Sequence, residues 1–331
     1  MIPPRLGSGG LWTTSANAVR TAQRSGMPTA QPFRRGQRPP GVTDWHLRTS
    51  RFRRLFHDVY VDREAELTPL LLARGALLVA PDATVSHHSA ARLWGAVVPD
   101  DGFVHLTCPT RRPQVEGIRT HRCGRPKRAT RWRGLPVTTP VQTFLDLAAV
   151  LSLVDLVVLG DSLVRRKRVT VDLLVEAATA HRGTGGRLAR KAARLVRADV
   201  DSAMESRLRM LMVLSGLPEP VVNHKIHWPH GEVRFRLDLS YPDDGLVIEY
   251  DGWQQVDSQT QWGSDRDRRE WLDGNDWRIV VVIAKDLHRT PAATLSRIRA
   301  AMRGRGMPVP PVDDEWRRHF PSTSEDLREP A

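Results

Sequence analysis

Cysteine is nearly absent from this chain of 331 residues, which holds only Cys108 and Cys123. No CxxC spacing occurs, so the sequence offers no zinc-finger ligand set. Two cysteines in so long a chain give no disulfide framework, which fits a reducing compartment. Lysine is scarce as well, with five among the 50 basic residues. The N-terminal stretch lacks the apolar core of a signal peptide. The longest apolar run, residues 141–164, is broken by Asp146, Asp155 and Asp161. Aspartates at that spacing mark the wet face of a helix and not a membrane span. The expected location is therefore cytoplasmic.

What is present is positive charge, unevenly spread. The chain is 40% hydrophobic and 26% charged, enough to build a core, and its length suits two domains. The net charge is +13. Residues 1–140 carry 22 Lys+Arg against 9 Asp+Glu, whereas residues 141–331 carry 28 of each. A basic half beside a neutral half is the footprint of a protein that meets a polyanion. A codon bias toward arginine explains Arg over Lys but not the shortage of acids.

Residues 1–41 are rich in Gly, Pro, Ser and Arg and read as a disordered basic arm. Thr43 and Ser50 can cap short helices over 44–49 and 51–55, followed by a strand over 57–61. This stretch is dense in Arg48, Arg51, Arg53 and Arg54, which suits the end of a winged helix-turn-helix facing DNA, or a solvated basic turn. Helices are expected at 67–79 and 86–94, and short strands at 103–108, 118–121 and 135–138. A run of arginines from 111 to 133 can track phosphates or line a solvated loop. One amphipathic helix is expected over 141–165, then two more at 171–181 and 187–197. Gly183–Gly186 lacks a phosphate-loop GK[ST] and reads as a connector.

The last third, about 199–303, reads as helix, two strands, helix, strand, helix, an α/β or mixed α+β core. Residues 304–331 read as a Pro-rich polar tail. On the strand over 233–240, Asp238 shares a face with Arg234 and Arg236, because strand side chains alternate. On the strand over 246–251, Glu249 and Asp251 share a face. The turn at 242–245 makes the two strands a hairpin, so Asp238, Glu249 and Asp251 converge. Three close carboxylates repel unless a cation sits among them, and hard oxygen ligands select Mg2+ or Mn2+. Such an ion activates water for phosphodiester hydrolysis. Glu205 can add a fourth oxygen or close a capping box with Ser202. A helix over 265–273, capped by Ser264, carries Arg266 and Arg269, which can grip a phosphate or form exposed salt bridges.

Two resemblances follow from motifs. Ala203–Arg209, Arg236–Leu239, Val247–Gly252, Asp265–Arg269 and Gly274–Val280 together resemble an endonuclease-like domain family of unknown function. That family is related to very-short-patch-repair (Vsr-like) endonucleases of the PD-(D/E)XK type. The resemblance covers about 200–290. It implies a restriction-endonuclease-like fold and a Mg2+-dependent nuclease ancestry. Residues 51–61, 86–95, 134–140 and 143–147 are similar to AbiEi-type antitoxins of type IV toxin–antitoxin systems. That implies a winged-helix DNA reader followed by a mixed domain over about 42–198, and a cognate toxin as partner. The match departs at Gln255, where the family usually has histidine. It departs at Asp251, where many PD-(D/E)XK enzymes have lysine, with Lys225 or Lys285 as candidate substitutes. It departs also at Pro39 and Pro40, where the first winged-domain helix usually falls. The histidines His87 and His88 match the antitoxin-like signature and read as structural.

The expectation is thus a basic winged-helix-like N-terminal region followed by a restriction-endonuclease-like domain. Its function would be Mg2+-dependent DNA endonuclease activity with Glu205, Asp238, Glu249 and Asp251 at the site. The alternative is a catalytically inactive DNA-binding regulator or antitoxin.

Overall fold

The computed structural model describes residues 31–109, 114–122, 128–252 and 259–321, with the backbone alone for 259–266. The described chain is mixed α/β with three sheets. It divides into two units. The first comprises residues up to Val85 with Gly102–Pro126 and Arg133–Leu135, and the second comprises the remainder. Among the described residues, no helix is long and apolar enough to cross a membrane.

The first unit opens with β1 (Phe33–Arg34) and α1 (Asp44–Arg48), followed by β2 (Phe52–Phe56) and β3 (Val59–Asp62). The Thr43 N–H donates to His46 Nδ1 at 3.0 Å and starts α1. The helix expected over 51–55 is a strand instead, paired antiparallel with β3 through Arg53↔Val61 and Arg54↔Tyr60. The reason is local. Asp58 takes a left-handed φ of 61°, which a short acidic side chain tolerates, and closes a hairpin. That hairpin buries Phe52, Phe56, Val59 and Val61, a gain no five-residue helix could match. β1 completes the sheet against β3, so the last part of the expected arm is structured. Then come α2 (Pro69–Val79), capped by Thr68 Oγ1 accepting from Leu71 N–H at 3.2 Å, and β4 (Thr84–Val85). β5 (Val104–Cys108) pairs antiparallel with β4 and parallel with β6 (Ile118–Arg122).

In the second unit, α3 (His87–Leu93), β7 (Ala129–Trp132) and β8 (Leu135–Thr138, from its second residue on) precede a run of helices. The single helix expected over 141–165 is two, α4 (Pro140–Leu147) and α5 (Leu153–Arg165). Ser152 ends the run by capping a new helix, its Oγ accepting from Asp155 N–H at 3.1 Å. α6 (Val171–Ala180) and α7 (Gly186–Leu195) follow. The turn into α7 requires glycine at 185. Its φ is +79°, and a Cβ there would lie 2.4 Å from the Ala148 carbonyl oxygen.

α8 (Ala203–Leu214) leads into the C-terminal sheet: β9 (Val221–His227), β10 (Val233–Tyr241), β11 (Leu246–Asp251) and β12 (Arg278–Ile283), in the order β12-β11-β10-β9. The first three form an antiparallel meander, and α9 (Gln259–Gly274) carries the chain across to β12, parallel to β11. β9 went unread in the sequence because it is a half-exposed edge with a single buried residue, Asn223. α9 starts at Gln259, so Ser264 lies inside it and is not its cap. α10 (Ala284–His288) and α11 (Pro291–Gly304) close the core. The expected polar tail is partly core. Trp316 and Phe320 are buried, and Asp313 N–H donates to Ser215 O at 3.1 Å.

α5 and α8 are joined by a buried charge network. Arg209 is fully buried and pairs with Asp161 at 3.0 Å and with Glu219 at 3.1 Å. Asp161 also accepts from Arg197 N–H and Ser206 Oγ, each at 2.8 Å. Burial holds its carboxyl above the ordinary range, and Arg209 opposes this. Removing one partner strands the other charge. Arg209→Met should therefore cost roughly 3–5 kcal/mol in urea unfolding at pH 7.5. Adding Asp161→Asn should return most of that loss. Equal stability of the two variants would contradict the pairing.

Candidate functional site

The site arises where the C-terminal sheet forks. β10 stays paired with β9 from Val233 to Ser240, and β11 with β12 from Leu246 to Asp251. Between them, β10 and β11 pair only through Leu239↔Ile248, Ser240↔Val247 and Tyr241↔Leu246. Asp238 and Glu249 are the first residues beyond this ladder on either strand. The Tyr250 N–H, which a continued ladder would give to a backbone carbonyl, goes to Asp238 Oδ2 at 3.1 Å. The alternation read in the sequence therefore brought Asp238, Glu249 and Asp251 to one place. All three line a cleft of about 230 Å³, with Arg268 and Arg269 from α9 and an apolar wall of Leu272, Ile279 and Val281.

A cation already spans the fork. Arg268 Nη2 donates to Arg236 O on β10 at 2.9 Å and to Glu249 Oε1 on β11. The arginines singled out by sequence were Arg266 and Arg269. Arg269 lines the cleft, and the Arg266 side chain lies outside the described residues, as do the side chain of Asp265 and the whole of Gln255. Arg268 was missed because the start of α9, and so its facing, could not be read from composition. Its Nε is buried without a hydrogen-bond partner among the described residues.

Burial pushes the Asp238 carboxyl up to about 6, and Glu249 adds to that, while Tyr250 N–H and Arg268 oppose it. Glu205 serves the start of α8, although its carboxylate reaches one residue ahead of Ser202 and does not close the capping box. Its N–H donates to Ser202 Oγ at 3.1 Å, and its Oε2 accepts from Asp201 N–H at 3.0 Å, a helix cap. Its carboxyl is also raised, by burial first and then by the neighbouring charge of Asp238. Glu205 is not among the residues lining the cleft, and neither are Lys225 and Lys285. Asp251 stands exposed at the mouth. Among the described residues, these carboxylates do not bring three oxygens within 4.8 Å of one another.

The basic residues of the first unit divide by direction. Arg48 and Arg54 are exposed. Arg51 is half-buried, its guanidinium 5.8 Å from the Phe52 ring. Arg53 turns inward and donates to Ala65 O. In the later arginine run, Arg119 stacks over Phe103 at 4.3 Å. Arg111, Arg112, Arg125 and Lys127 lie outside the described residues.

The chain is similar to two uncharacterized proteins of Mycobacterium tuberculosis, MT2308 of strain CDC 1551 / Oshkosh and Rv2248 of strain ATCC 25618 / H37Rv. Each is 29% identical over 260 residues, spanning 76% of this chain and 94% of the relative. No family model and no solved structure matches the chain.

The raised Asp238 carboxyl couples stability to pH. The folded chain keeps this proton to higher pH than the unfolded chain, whose carboxyl titrates near 3.8. Stability is therefore lost as pH rises from about 4 to about 6, and the loss persists above that. Asp238→Asn keeps an acceptor for Tyr250 N–H and removes the charge. In EDTA at pH 7.5 it should be more stable than wild type by about 1–3 kcal/mol, with the gap closing by about pH 4. A gap independent of pH would show that Asp238 titrates normally.

Proposed function

We propose that this protein is a DNA-binding, metal-dependent phosphodiesterase whose site is the forked cleft. The observation that carries the reading is the convergence of Asp238, Glu249 and Asp251 on one cleft beside Arg268 and Arg269. The donor set is all hard oxygen, which fits Mg2+ or Mn2+ and no softer ion. Asp238, Glu249 and Asp251 would hold it, with Glu205 behind Asp238. When bound, such an ion supplies an activated water and offsets charge on the phosphate.

The chain's own residues do the rest. Arg268 ties the two strands at a fixed spacing and sets a positive charge beside the carboxylates. Arg269, at the cleft wall, adds positive charge. The apolar wall of Leu272, Ile279 and Val281 lowers the local dielectric, which strengthens each of these electrostatic contacts. The restriction-endonuclease-like fold and the winged-helix character of the first unit belong to the same proposal. Exposed Arg48 and Arg54 would meet DNA.

One observation favours a second reading. Glu249 is already neutralised by Arg268, an arrangement that needs no metal. A chain with that pair fixed would be a non-hydrolytic DNA-binding regulator, with a toxin as partner in an antitoxin-like role.

Supercoiled-plasmid nicking by the full chain separates the two. With Mn2+ the wild type should nick, EDTA should stop it, and Asp238→Asn/Glu249→Gln should lower the rate by more than roughly 100-fold. Retarded plasmid mobility without any nicking would leave the regulator reading.

A further inference from the structure

The zero net charge of residues 141–331 conceals a local surplus. α7 carries Arg187, Arg190, Lys191 and Arg194 and no acidic residue. Positions three and four apart share a face of a helix, so these four stand together. The opposite face holds Ala189, Ala192 and Ala193, all fully buried. The four cations line one shallow depression of about 430 Å³ with Leu195. Among the described residues a single carboxylate answers them, Glu315, which pairs with Lys191. Arg190 Nη1 is tied to His181 O at 3.1 Å. The guanidinium groups of Arg187 and Arg194 have no hydrogen-bond or ion-pair partner among the described residues.

Such spacing also places like charges one turn apart, Arg187 against Lys191 and Arg190 against Arg194, which disfavours the helix. An anion laid along the face would reverse that repulsion. We infer that the α7 face is a binding surface for the phosphate backbone of duplex DNA, separate from the cleft. Seven residues at 1.5 Å each set Arg187 and Arg194 about 10 Å apart. That distance is comparable to the width of one groove of B-DNA, so one helix face can meet phosphates on both of its rims. Among the described residues of α7 the apolar Leu188 and Leu195 are half-buried, and no fully exposed apolar side chain on this helix would enter a bilayer. The inference rests on the DNA-binding part of the reading above and not on hydrolysis.

The test measures affinity of the full chain for a fluorescein-labelled 30-base-pair duplex of arbitrary sequence across a salt series. Arg187→Gln/Arg194→Gln removes two unpartnered charges and should leave the thermal midpoint unchanged or slightly raised. Its slope of log affinity against log salt should be shallower by about 2, making binding roughly 50-fold weaker at about 0.1 M salt. Arg187→Lys/Arg194→Lys should restore the slope. An unchanged slope in the Gln variant, or wild-type binding to phosphatidylserine vesicles with none to the duplex, would overturn the inference. Nicking provides the separate control. A shallower slope in a chain that never nicks supports this surface while the hydrolytic reading fails. An unchanged slope in a chain that nicks does the reverse.

Discussion

One guanidinium sets the geometry of the C-terminal sheet. Arg268 reaches from α9 to a backbone carbonyl of β10 and a carboxylate of β11, at the point where those strands stop pairing. A forked sheet leaves backbone groups without ladder partners, and each must find another. Tyr250 N–H finds the Asp238 carboxylate, and Arg236 O finds Arg268. The same two replacement contacts bring a half-buried acid and a paired acid into one cleft. Structure and candidate chemistry thus depend on the same few contacts.

The fork also explains the charge state of the site. Asp238 lies in the cleft with Glu249, behind it Glu205 is raised as well, and Arg268 is bonded to Glu249 alone of these acids. Burial then holds a proton on Asp238 up to about pH 6, well above the ordinary carboxylate range. A proton and a divalent cation compete for the same oxygens, so metal binding at this site should release protons. Sites that hold acids against their own repulsion are where function is sought first, although structural ion-pair networks do the same.

Much of this could be read from the residues. The period of two on either side of the 242–245 turn placed Asp238, Glu249 and Asp251 together, because a hairpin with one covered face fixes its register. The limits of β11 and β12 were also legible, as both are compact apolar runs. What could not be read depended on partners distant in sequence. Ser50 followed by Arg-rich residues looked like a helix start, yet pairing with Val59 and Val61 made a strand. The early end of the β10–β11 ladder left no local signal. Trp316 and Phe320 are single aromatics in a Pro-rich stretch, and the partners that make them core, α8 among them, are distant in sequence. The surplus on α7 was visible at helical spacing, but averaging charge over 191 residues cancelled it against the acids elsewhere in that half.

The central claim is that the forked carboxylates gather a hard divalent cation. Isothermal titration of Mn2+ into the full chain at pH 7.5 tests it most directly, repeated in two buffers of different ionisation enthalpy to count released protons. The account predicts one site, proton release on binding, and loss of both signals in Asp238→Asn/Glu249→Gln with the circular dichroism spectrum unchanged. Binding that persists in the double variant, or no binding by the wild type, would contradict it and leave the acids as partners of Arg268 and Tyr250 alone.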